Sequence, residues 1–100
     1  MNRSILDNVE YINTKLAMPD KLDQLAEECV ELAQAALKLS RAIRQTNPTP
    51  AKPKDIYNNL IEETSDVYLC LTLLQLDAKD EIMESKSNRW IKRLDENEYN

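Results

Sequence analysis

The sequence predicts an all-α fold, with four helices forming an antiparallel bundle-like single domain over residues 1–100. Three observations carry this expectation. Helix-forming residues are dense and β-branched runs are missing. Apolar residues recur at steps of three and four, the spacing that gathers them on one helical face. The prolines, Pro19, Pro48, Pro50 and Pro53, punctuate this pattern between its long stretches.

A first helix is expected over residues 4–16, ending before Met18-Pro19-Asp20. A second is expected over 20–44, with Leu22, Leu25, Cys29, Leu32, Ala36, Leu39 and Ile43 as one buried stripe. Residues 46–53 contain three prolines, cannot be helical, and read as a stiff connection instead of a domain boundary. A third helix is expected over 54–76, with Leu60, Thr64, Val67, Leu71 and Leu74 on its principal face. Between Val67 and Leu76 only Thr72 and Gln75 are clearly polar, which predicts burial on several sides. One four-helix monomer struggles to cover such a helix, so a homodimer or homotetramer is expected. The fourth helix is expected over 77–95, with Met83, Trp90, Ile91 and Leu94 facing inward.

Composition excludes several classes of function. With 42% hydrophobic and 31% charged residues the chain sits with globular proteins, not disordered ones. A net charge of -5 argues against nucleic acid as a partner, because non-specific binding rests on neutralising phosphates. No apolar run approaches the roughly 20 residues that cross a bilayer, so no membrane partner is expected. The opening MNRSILDNVEY carries acids in place of an apolar signal core, and a cytoplasmic location is expected. Glycine is absent, which rules out Gly-rich phosphate loops and dinucleotide turns. Histidine is absent too, removing His-activated nucleophiles and His-built zinc or di-iron sites. Cys29 and Cys70 are too few for a zinc site or a disulfide framework, and on apolar faces they read as small buried hydrophobes. Carboxylates, lysines and arginines remain, an inventory suited to hard metals and phosphates.

The carboxylates form two motifs. Glu27-Glu28-Cys29-Val30-Glu31 lies on the second helix and Glu62-Glu63-Thr64-Ser65-Asp66 on the third. Residues three apart are surface neighbours, so Glu28 pairs with Glu31 and Glu63 with Asp66. Glu28 falls three residues after Leu25 and four before Leu32, beside the apolar stripe, whereas Glu27 points to solvent. Asp66 falls in the stretch expected to be buried, and Glu63 lies on the same line. If the two helices pack antiparallel, the pairs face each other. Carboxylates about 4 Å apart repel by roughly 4 kcal/mol per pair at an effective dielectric near 20. Protonation, basic partners or a cation relieves that repulsion; magnesium fits, and manganese suits similar ligands. The rival reading is a solvated acidic face or salt bridges to Lys38 or Arg41.

On the fourth helix Lys86, Arg89 and Arg93 form one cationic line, with Lys92 off it. Beside a metal site such a line would grip a polyphosphate. It equally suits a helix C-terminus or pairing with Glu81, Glu84 or Glu96. Lys38, two turns after Glu31, is a weaker phosphate contact, and Lys52 and Lys54 are weaker still. Trp90 and Tyr68 fit packing positions, although Trp90 also suits stacking on a base.

EECVEL followed by EETSDVYLCL resembles the paired E-x-x-E and E-x-x-D motifs of the MazG-like all-α nucleoside triphosphate pyrophosphohydrolases. The resemblance runs through NPTPAKPKDIYNNLIEETSDV to KSNRWIKRL and covers most of the chain after the first helix. It implies Glu28, Glu31, Glu63 and Asp66 as metal ligands, catalytic through the metal and its water, with Mg2+ as cofactor and Mn2+ as the substitute. It implies that Lys86, Arg89 and Arg93 contact phosphates, and that a nucleoside triphosphate is cleaved between its α and β phosphates. It also implies dimers or tetramers in which neighbouring chains help complete the site. The stretch between the two motifs is longer than in compact members. Dimeric dUTP pyrophosphatases and phosphoribosyl-ATP pyrophosphohydrolases use similar carboxylate pairs, and no base-reading motif chooses among these families.

The expected function is metal-assisted hydrolysis of NTP or dNTP to the monophosphate and pyrophosphate. Glu27 and Glu62 replace Glu28 and Glu63 if the helical register slips by one. The alternatives are a non-catalytic helical oligomerisation module and a nucleotide-sensing relative without turnover.

Overall fold

A computed structural model describes residues 1–45 and 51–98, and these form helices with no strand. The helices are α1 (Arg3–Asn13), α2 (Met18–Arg44), α3 (Pro53–Leu74) and α4 (Asp80–Glu98). The described residues therefore form four helices, with ends shifted by a few residues from the expected ones. Residues 46–50 of the proline-rich connection, with 99 and 100, lie outside the described residues. No described helix is long and apolar enough to cross a membrane.

The helix ends follow local chemistry. Asn2 caps α1, its Oδ1 accepting from the Ile5 amide at 2.9 Å. Helices α2 and α3 each begin with proline in the first turn, where its missing N–H is not needed, followed by Asp20 and Asp55. Both stop at a residue in the left-handed region, Gln45 at φ 58° and Gln75 at φ 56°. Glycine normally takes this position; in a chain without glycine, glutamine bears the strain.

Helix α2 packs along α3, and α1 packs on α3 with Val9 buried. The α2–α3 pair is antiparallel: Glu28 meets Glu63, and further along α2 Leu39 shares a groove with Leu60, earlier in α3. The seam is heptad-like on both sides. On α2 it is Lys21, Leu25, Glu28, Leu32, Ala35 and Leu39; on α3 it is Ile56, Leu60, Glu63, Val67, Cys70 and Leu74, all buried or half-buried. Ile56 is the most enclosed, at 2% exposure.

The expected α2 stripe therefore splits. Leu25, Leu32 and Leu39 face α3, but Leu22, Cys29, Ala36 and Ile43 are exposed. The apolar arc of α2 is wider than one partner helix covers, and the structure uses only its leading half. On α3 the expected face holds, and Cys70, Leu73 and Leu74 are buried, while Tyr68, Leu69 and Leu76 remain exposed.

Helix α4 packs against none of the other helices among the described residues. Met83, Trp90, Ile91 and Leu94, expected to face inward, are all more than half exposed. The radius of gyration is 17.6 Å, against about 13 Å for a compact domain of this length. The excess reflects this undocked helix.

Candidate metal centre

Glu28 and Glu63 stand at seam positions where the heptads call for apolar side chains. A charged group there breaks the local packing rule, which in natural proteins marks functional or strained positions. Because α2 and α3 run antiparallel, the two acids meet across the seam. Glu31, one turn after Glu28, brings a third carboxylate from the exposed edge. One oxygen from each of Glu28, Glu31 and Glu63 lies within 4.8 Å of the others.

The polar balance of this group is incomplete. The Gln24 amide donates to Glu28 Oε1 at 2.8 Å. Glu28 Oε2 and Glu63 Oε2 are buried and accept no hydrogen bond. Among the described residues no lysine or arginine forms an ion pair with Glu28, Glu31 or Glu63; Lys38 and Arg41 are exposed and supply none. A buried acceptor without a partner is rare in native proteins and destabilises the fold. The Glu28 carboxyl is pushed above its ordinary range, first by lost solvation and then by the Glu31 and Asp66 carboxylates, with the Gln24 amide opposing. Cys70, buried nearby on α3, has its thiol raised by burial and by the charges of Glu28 and Asp66.

Asp66 is exposed, not buried as expected, and is outside the group of three, although its charge reaches Glu28. Its register turns it to the edge of the seam, one turn beyond Glu63. Glu27 and Glu62 are exposed and also outside the group. Lys86, Arg89 and Arg93 are exposed on α4, and within one chain the structure does not bring them to the carboxylates. Trp90 and Cys29 are exposed, contrary to the core positions expected of them.

The sequence reading missed Gln24 and the closeness of Cys70. Gln24 was accessible from its i, i+4 spacing to Glu28. The placement of Cys70 depends on how α3 is set against α2.

The donor set is all oxygen, from carboxylates, with two buried oxygens lacking partners. This composition fits a hard divalent cation such as Mg2+ or Mn2+ better than zinc, which favours nitrogen and sulfur. Compared with known proteins, the chain matches no family profile, and no curated protein or solved structure matches it significantly.

Proposed function

We propose that the chain is a metal-dependent nucleoside triphosphate pyrophosphohydrolase of the MazG-like, all-α kind, releasing a nucleoside monophosphate and pyrophosphate. One observation carries this reading: Glu28 Oε2 and Glu63 Oε2 are buried without hydrogen-bond partners in a carboxylate group that no lysine or arginine among the described residues neutralises. Structural salt bridging, the chief rival, would have placed a lysine or arginine there.

Glu28, Glu31 and Glu63 would hold Mg2+ or Mn2+, with Asp66 at the seam edge as the fourth carboxylate. When bound, the cation supplies Lewis acidity toward phosphate oxygens and a water of lowered pKa. The remaining chemistry belongs to the chain's own groups. An exposed carboxylate, Glu31 or Asp66, takes the proton of the attacking water. Lys86, Arg89 and Arg93, with Lys38 as an additional contact, neutralise charge on the pyrophosphate once α4 lies over the site. Self-association and a cytoplasmic location belong to the same reading.

A pyrophosphate-release screen over all nucleoside triphosphates, with Mg2+ and then Mn2+, tests the proposal. Glu63→Ala and Asp66→Ala are expected to abolish release while circular dichroism stays helical. Full activity in either variant overturns the assignment. The uncovered apolar surface of α4 favours one rival, a non-catalytic oligomerisation module. Calorimetric titration separates the two, since such a module takes up neither ion specifically.

A further inference from the structure

We propose that Gln24 is a positioning residue that restricts Glu28 to a single oxygen toward a bound cation, so that the centre prefers small octahedral ions and discriminates against Ca2+. This role rests on the cation site proposed above and names the residue that sets its selectivity.

The two oxygens of the Glu28 carboxylate have different surroundings. Oε1 accepts from Gln24 Nε2 at 2.8 Å, an exposed bond on the surface of α2. Oε2 is buried and has no hydrogen-bond partner. Gln24 stands four residues before Glu28 in the same unbroken helix, so the backbone holds the two side chains on one line, a turn apart. Rotation of a glutamate carboxylate about its last torsion is otherwise broad. The Gln24 bond restrains it, turning Oε1 to the helix surface. Oε2 is then the oxygen left for a ligand in the seam, where Glu63 Oε2 is also buried without a hydrogen-bond partner.

That orientation favours one kind of ion. Mg2+ demands near-octahedral surroundings, keeps several waters and needs one or two protein carboxylates. Ca2+ is larger, takes about six to eight oxygens and readily accepts both oxygens of one carboxylate. To grip an ion with both oxygens, Glu28 would have to swing Oε1 away from Gln24 and give up that bond. The tether therefore costs Ca2+ a ligand and costs Mg2+ or Mn2+ nothing.

The neutrality of Gln24 matters as much as its reach. A lysine here would also hold Oε1, but its charge would cancel the field that draws a cation to Glu28, Glu31 and Glu63. A carboxamide orients the carboxylate and leaves its charge in place. Gln24 acts through Glu28, whose oxygen lies within 4.8 Å of those of Glu31 and Glu63.

Calorimetric titration of the full metal-free chain with Mg2+, Mn2+ and Ca2+, without nucleotide, tests this role. Gln24→Met keeps the length and removes the donor. It is expected to lower Mg2+ and Mn2+ affinity by about tenfold while Ca2+ affinity holds or rises, moving the ratio toward Ca2+ by about tenfold or more. Gln24→Lys restores a donor and adds a charge, so the ions should weaken together and keep the wild-type ratio. Gln24 is exposed, and circular dichroism of both variants is expected to stay helical. An unchanged ratio in Gln24→Met overturns the role of Gln24 and leaves the cation site standing. A ratio shifted equally in Gln24→Lys also overturns it, because the lost donor is then not the cause. A wild type that binds none of the three ions overturns the cation site together with the role of Gln24.

Discussion

Glu63→Gln separates a metal centre from a structural carboxylate by the sign of its effect. Glu63 Oε2 is buried without a hydrogen-bond partner, and one Glu63 carboxylate oxygen lies within 4.8 Å of oxygens of Glu28 and Glu31. A buried unsatisfied acceptor costs about 1–3 kcal/mol. The carboxamide removes one negative charge at nearly constant shape and can donate to a neighbouring carboxylate oxygen. Without metal the variant should therefore be more stable than the wild type by about 1 kcal/mol or more, or about 4–8 °C in Tm per kcal/mol. With metal the order reverses. A ligand at a hundred times its Kd stabilises the folded state by about 2.7 kcal/mol, which raises the wild-type Tm by about 10 °C or more. The variant should lose most of that response. Thermal melts followed at 222 nm, in EDTA and in millimolar Mg2+ or Mn2+, read both effects. A variant less stable than wild type in EDTA, or one keeping the full metal response, would refute the reasoning.

Other perturbations probe the fold and the site separately. Ile56 is 2% exposed in the α2–α3 seam, and Ile56→Ala is expected to cost about 2–5 kcal/mol in urea unfolding; a loss under about 1 kcal/mol would place it outside a packed core. Gln75 sits at φ 56° and ψ 38°, so Gln75→Gly should stabilise by about 0.5–1 kcal/mol, read as a higher urea midpoint. A lower midpoint would mean that the Gln75 side chain makes a contact outweighing the backbone strain. The raised Glu28 carboxyl sets a pH dependence. Below its ordinary value Glu28 is protonated in both folded and unfolded chains, and the contribution of its protonated form to the stability of the metal-free protein is fully present. That contribution disappears as pH rises through the higher folded-state value, where the carboxyl ionises against Glu31 and Asp66. Urea midpoints in EDTA should fall across this window while Mg2+ affinity rises, since a proton and the cation compete for Glu28; Glu28→Gln should flatten both trends.

Much of the architecture was legible from local chemistry. The prolines were legible as boundaries, although Pro19 and Pro53, expected to precede α2 and α3, sit inside their first turns, where a missing N–H is not needed; the seven-residue recurrence of Leu60, Val67 and Leu74 identifies the packed face of α3. The acidic pairs were legible as neighbours because residues three apart on a helix share a surface. The sequence by itself therefore determined the helical elements and which side chains share a face. Tertiary structure alone decided which of two adjacent rows on α2 turns inward. Leu25 and Cys29 both belong to plausible apolar stripes, and only contact with α3 buries one and exposes the other. The same packing carried Glu28 into the seam and left Asp66 at its edge. Helical periodicity repeats with the same period around the whole cylinder, so it specifies the spacing of a face but not the direction in which a partner lies.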